Sequence, residues 1–147
     1  MMFLQSHSLF LFLFCLVNFF STEISSSNVS SEHIEVTKSL KSTTVSIENR
    51  WTDSFGNFGT GKCNGHILTE NEEISLLVFC EQTEARGDKF WTQLVRDKDM
   101  KAGVGKIRYL NATGIYKKFI GIECQYAVNY MNNETNFLKQ ICELPYD

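Results

Sequence analysis

Residues Phe119 to Met131 read Phe-Ile-Gly-Ile-Glu-Cys-Gln-Tyr-Ala-Val-Asn-Tyr-Met. Ile120, Ile122, Cys124, Tyr126, Val128 and Tyr130 occupy every second position, with Gly121, Glu123, Gln125, Ala127 and Asn129 between them. A period of two sets one series on each face of a pleated strand, which suits a sheet with one dry face and one wet face. A helix of this composition would scatter the apolar residues around its axis, so the pattern selects β-structure. Weaker alternation recurs in Thr43, Val45, Ile47, Asn49 and Trp51, and short strand-like runs follow over Phe90–Val95 and Lys106–Leu110. No stretch carries a helical period. The expectation is an all-β fold: a small antiparallel sandwich or barrel of about seven or eight strands.

The cysteines sharpen that expectation. Cys15 lies in an N-terminal apolar run, leaving Cys63, Cys80, Cys124 and Cys142. An even number in a small exported domain implies two disulfides. Four cysteines allow three connectivities, and hairpin register ranks them. Pairing Glu70 with Ile74 across a bend at Asn71-Glu72-Glu73 places Cys80 opposite Asn64, one residue from Cys63. Pairing Met131 with Asn136 places Cys124 opposite Glu143, one residue from Cys142. A register change of one in each hairpin brings Cys63–Cys80 and Cys124–Cys142 within disulfide reach.

Leu9 to Phe20 is almost wholly apolar and has the length of a leader-peptide core. It falls short of the roughly 20 apolar residues of a membrane-spanning helix. The expected organisation is a leader over 1–26, cut between Ser21 and Ser27, a flexible serine-rich lead-in over 27–32, and one β-domain over 33–147. No second apolar run of spanning length follows, so stable membrane insertion is not expected. Secretion fits the three Asn-x-Ser/Thr glycan acceptors at Asn28, Asn111 and Asn133. A net charge of -3 argues against nucleic acid and anionic membrane surfaces, since both draw basic patches.

Little in the chain suggests catalysis. Only His33 and His66 remain beyond the leader, the cysteines are expected to be paired, and no Gly-x-Ser-x-Gly elbow is present. Asp97-x-Asp99 lacks the further oxygen ligands of a calcium loop, and Gly103-x-Gly105-Lys106 lacks the glycine spacing of a phosphate loop. No catalytic residue, cofactor or metal ligand is expected.

Trp51-Thr-Asp-Ser-Phe-Gly56 is similar to the opening of avidin-like and lipocalin-like barrels. The likeness covers these few residues, and it implies a barrel that encloses a small ligand among aromatic side chains. Two loops offer another reading. Phe55 and Phe58 lie in a glycine-rich loop expected over Phe55–Lys62, and Arg86-Gly87-Asp88 matches the integrin-recognition tripeptide on a polar loop expected over Glu81–Lys89. Glycine lets such a turn hold a guanidinium and a carboxylate at opposite ends. The leading functional expectation is a secreted, non-enzymatic glycoprotein that binds an extracellular protein or receptor through Phe55, Phe58, Arg86, Gly87 and Asp88. The alternatives are a carrier barrel for a small apolar ligand and an integrin ligand. A sizeable internal cavity would favour the carrier over a binding module with a packed core.

Overall fold

The computed structural model describes residues 18–98, 103–131 and 135–145, and the backbone alone of Ser27. Among them, eight strands run in chain order: β1 (Phe19–Thr37), β2 (Leu40–Asp53), β3 (Phe58–Glu70), β4 (Glu73–Glu84), β5 (Lys89–Arg96), β6 (Val104–Ala112), β7 (Glu123–Tyr130) and β8 (Asn136–Glu143). Each pairs antiparallel with the next, and β1 pairs with β8 to close a barrel. The all-β expectation holds, and of its two forms the barrel is the one adopted. Closure removes the exposed edges that a sandwich would have to protect.

Both disulfides form as hairpin register implied. Cys63 stands directly opposite Cys80, and Cys124 joins Cys142. The first hairpin is one residue tighter than expected, because Glu70 pairs with Glu73 across the two-residue turn Asn71-Glu72. Both turn residues have positive φ, 51° and 71°, as the hairpin turn that follows strand twist requires.

The strands depart from the expected organisation in several places. Residues 27–32 are not a flexible lead-in: beyond a bulge between Ser26 and Asn28, they pair with β2 from Glu48 to Thr44. Serine-rich composition does not oppose a strand when a neighbour supplies every ladder bond. Strand β1 also begins at Phe19, inside the stretch expected as leader, and its Phe20 is only 1% exposed. The glycine-rich loop expected from Phe55 shrinks, since β3 starts at Phe58, and β4 continues to Glu84. Gly59, Gly61 and Gly65 share the inward face of β3 with Cys63. A Cβ at Gly59 would overlap the Trp51 ring, and one at Gly65 would lie 2.6 Å from the Val78 Cα, so their bareness admits neighbouring groups.

The remaining correction concerns Phe119 to Met131. Strand β7 starts only at Glu123, and Gly114–Phe119 forms a 3-10 helix. Gly114 has φ +51°, which turns the chain out of β6. Residues three apart eclipse in a 3-10 helix, so Tyr116 and Phe119 project together and both are buried. Of the glycan acceptors, Asn111 is the penultimate residue of β6, and Asn28 lies in β1. Asn133 lies outside the described residues.

Candidate functional site

The barrel interior is layered. At one end, Phe20, Trp51, Phe90, Tyr109, Tyr116 and Phe119 form an aromatic plug. Phe20 and Phe119 have ring centroids 4.4 Å apart, and Phe90 and Tyr116 4.7 Å. The Tyr116 hydroxyl donates to Asp53 at 3.0 Å, joining the 3-10 helix to the β2–β3 turn. Burial, reinforced by the Asp53 charge, holds that phenol protonated far above its ordinary range. Burial also pushes Tyr109 up to about 12.

Above the plug lies a girdle of buried polar side chains: Thr22, Asn49, Gln82, Thr92 and Gln140. Gln140 Nε2 donates to the Tyr109 hydroxyl at 2.8 Å, and Asn49 Nδ2 reaches Cys63 Sγ at 3.4 Å. The Asn49 and Gln82 carbonyl oxygens have no hydrogen-bond partner among the described residues. Orphaned acceptors of this kind are costly in a dry interior.

Beyond the girdle the interior is not filled. A cavity of about 130 Å³ lies between strands from every side of the barrel, its wall built largely from aliphatic groups such as Ile24, Val45, Ile67, Leu76 and Leu94. Eight strands enclose just enough width for packed side chains or one small ligand. The inward glycines of β3 and short inward side chains such as Thr92 bear on the balance here, because they contribute less volume than the bulky residues of the plug.

The loop residues expected to contact a partner are brought together at the plugged end. Phe58 is 60% exposed, and Phe55 is 51% exposed, with its ring 5.1 Å from Phe20 and 4.9 Å from the Lys118 ammonium. Arg86 donates to Asn57 at 2.8 Å and through Nε to the buried Glu84 carboxylate at 3.0 Å, while Asp88 accepts the Ile115 backbone N–H at 3.3 Å. Gly87 carries the turn at φ +102°. Both charged ends of the tripeptide are therefore bonded within the fold.

Other groups are dispersed over the outer wall. His33 and His66 are exposed on β1 and β3. Glu81 is held below the usual carboxylate range by the Lys89 hydrogen bond and by Trp91. It borders an outer hollow of about 770 Å³ that opens to solvent. Among the described residues, no three His, Cys, Asp or Glu side chains are grouped to hold a metal ion, and no helix is long and apolar enough to cross a membrane.

Sequence reasoning missed the interior. Its signal was present in the strand alternation, where Asn49 shares the parity of Val45, Ile47 and Trp51, Gln82 that of Val78 and Cys80, and Gln140 that of Leu138 and Cys142. Polar residues on the dry parity of three strands mark a polar layer inside. No protein-family model matches the chain, and no curated protein is similar enough to count as a relative.

Proposed function

We propose that the protein is a secreted carrier that holds one small, largely apolar ligand inside its barrel. The cavity between girdle and far rim carries this reading. A void of roughly 150 Å³ walled by Leu, Ile and Phe admits a benzene-sized body, so 130 Å³ suits a ligand of about that bulk. The girdle's free carbonyl oxygens sit deeper, where they favour a ligand or water able to donate a hydrogen bond. Two intrachain disulfides and the apolar leader-like run favour an oxidising, extracellular setting. Toluene titrated into the protein and followed by NMR should shift methyl resonances of Val45, Ile67, Leu76 and Leu94. A Leu94→Trp variant should fold and lose those shifts. Toluene that leaves the wild-type spectrum unchanged overturns the carrier.

A second reading rests on a separate observation. Phe55, Phe58, Arg86, Gly87 and Asp88 share the plugged end, with Ala85 N–H bonded to the Phe58 carbonyl at 3.0 Å. Two adjacent turns, one flanked by the exposed Phe55 and Phe58 and the other carrying Arg86-Gly87-Asp88, fit an extracellular protein or receptor. Recognition by an integrin would first break the Arg86 and Asp88 bonds. Cell adhesion abolished by Asp88→Glu supports that mode, and unchanged adhesion removes it.

A further inference from the structure

Along β5 the inward positions run Phe90, Thr92, Leu94 and Arg96. The first two are buried, and Leu94 walls the cavity. Arg96 therefore continues the inward row at the far rim, where it stands opposite Leu76, another wall residue. Its Nε is out of contact with solvent and has no hydrogen-bond acceptor among the described residues. The neighbouring cation Lys98 is paired with Glu70, and none of the ion pairs among the described residues includes Arg96. Guanidinium is a permanent cation. Leaving it partly desolvated and unpaired is unfavourable, unless an anion completes the site.

A second orphan lies beside it. Tyr126 is 3% exposed, lines the cavity, and has a hydroxyl with no hydrogen-bond partner among the described residues. Strand β6 contributes only Gly105 to this row: it pairs with Tyr126, and its neighbour Lys106 pairs with Val95. A Cβ at Gly105 would lie 2.5 Å from the Tyr126 ring, so the bare glycine is what lets the ring cross β6 toward Arg96. Register therefore sets Arg96 and Tyr126 on the same face of the sheet, on either side of Gly105.

We propose that Arg96 and the Tyr126 hydroxyl form a carboxylate clamp at the rim of the cavity, so that the ligand is a small organic acid with a benzene-sized apolar body. This assignment rests on the carrier reading. Two converging donors, one permanently charged, call for an anionic acceptor, and the planar guanidinium fork matches a carboxylate. One cation balances a monoanion, whereas a phosphate dianion would bring surplus charge to a partly desolvated rim. Arg96 and Tyr126 orient the headgroup, and the aliphatic wall receives the body.

The test is an NMR and calorimetric titration of the secreted, full-length product with benzoate, toluene and phenyl phosphate. Benzoate should bind more tightly than toluene. Arg96→Gln should weaken benzoate about 10- to 100-fold, the range of a charge-assisted hydrogen bond, and leave toluene unchanged. Tyr126→Phe, which keeps the ring packing, should weaken benzoate by about 3- to 10-fold. Toluene binding as tightly as benzoate, with Arg96→Gln altering neither, overturns the clamp and leaves the carrier standing. Phenyl phosphate binding above benzoate overturns the carboxylate assignment. If toluene does not bind, the carrier falls, and the clamp that rests on it falls with it.

Discussion

If β1 closes the barrel, Phe20 is a core residue and Phe19 is not, although the two are adjacent. Phe20 is 1% exposed and touches Phe119 and Phe55, with centroids 4.4 and 5.1 Å away. Phe19 pairs with Glu143 and is 58% exposed. Truncating a buried phenylalanine costs about 3–5 kcal/mol, because transfer free energy and a residual cavity add. Truncating an exposed one stays within about 0.5 kcal/mol. With a urea slope of about 2 kcal/mol per molar, Phe20→Ala should lower the denaturation midpoint by about 1.5–2.5 M, and Phe19→Ala by less than about 0.3 M. The assay is urea unfolding of the purified protein followed by the fluorescence of Trp51 and Trp91, with N-terminal sequencing of the same sample. Sequencing should begin at or before Phe19. A start between Ser21 and Ser27, with both variants melting like wild type, would refute the role given to β1 and restore the shorter domain. Equal losses at Phe19 and Phe20 would refute the inward assignment of Phe20.

Gly65→Ala should cost about 1–3 kcal/mol in thermal unfolding, since its Cβ would meet backbone atoms of Leu77 and Val78 that have no room to move; an unchanged melting temperature would show that β3 and β4 are not so close. Glu72→Gly should stabilise by roughly 0.5–1 kcal/mol, because it removes the penalty of a side chain at φ 71° and adds a smaller entropic cost. A loss of stability there would mean that the turn does not hold Glu72 in the left-handed region. At high pH, Tyr109 and Tyr126, both raised to about 12 from an ordinary value near 10, keep their protons longer when folded. The native state then binds more protons than the unfolded chain, so stability is full below about pH 10 and declines as pH rises toward 12. Denaturant midpoints that stay flat over that range would contradict the burial of these phenols.

Alternation and turn chemistry are local, and what they encode was legible residue by residue. The β-class, the β3–β4 and β7–β8 hairpins and the two disulfides follow from side chains a few positions apart, because a hairpin aligns residues that are already neighbours in the chain. Even there the final register awaited the backbone: Asn71 and Glu72 both adopt positive φ, which tightens the hairpin by one residue and sets Cys63 against Cys80. Tertiary structure decided the rest. Phe19–Ser25 pairs with Phe137–Glu143 from the opposite end of the chain, and no local pattern distinguishes a serine-rich lead-in from a strand whose partner lies that far away. Likewise, Ile120 and Ile122 continue the alternation of β7, yet Tyr116 and Phe119 fold into a 3-10 helix because the open barrel end offers their rings a place to be buried. The cavity, the meeting of the girdle's side chains and the Arg96–Gly105–Tyr126 row belong to this second class, although the inward parity of Asn49, Gln82 and Gln140 was legible strand by strand. Each is made by side chains from several strands meeting across the interior, a geometry that exists only once the barrel has closed.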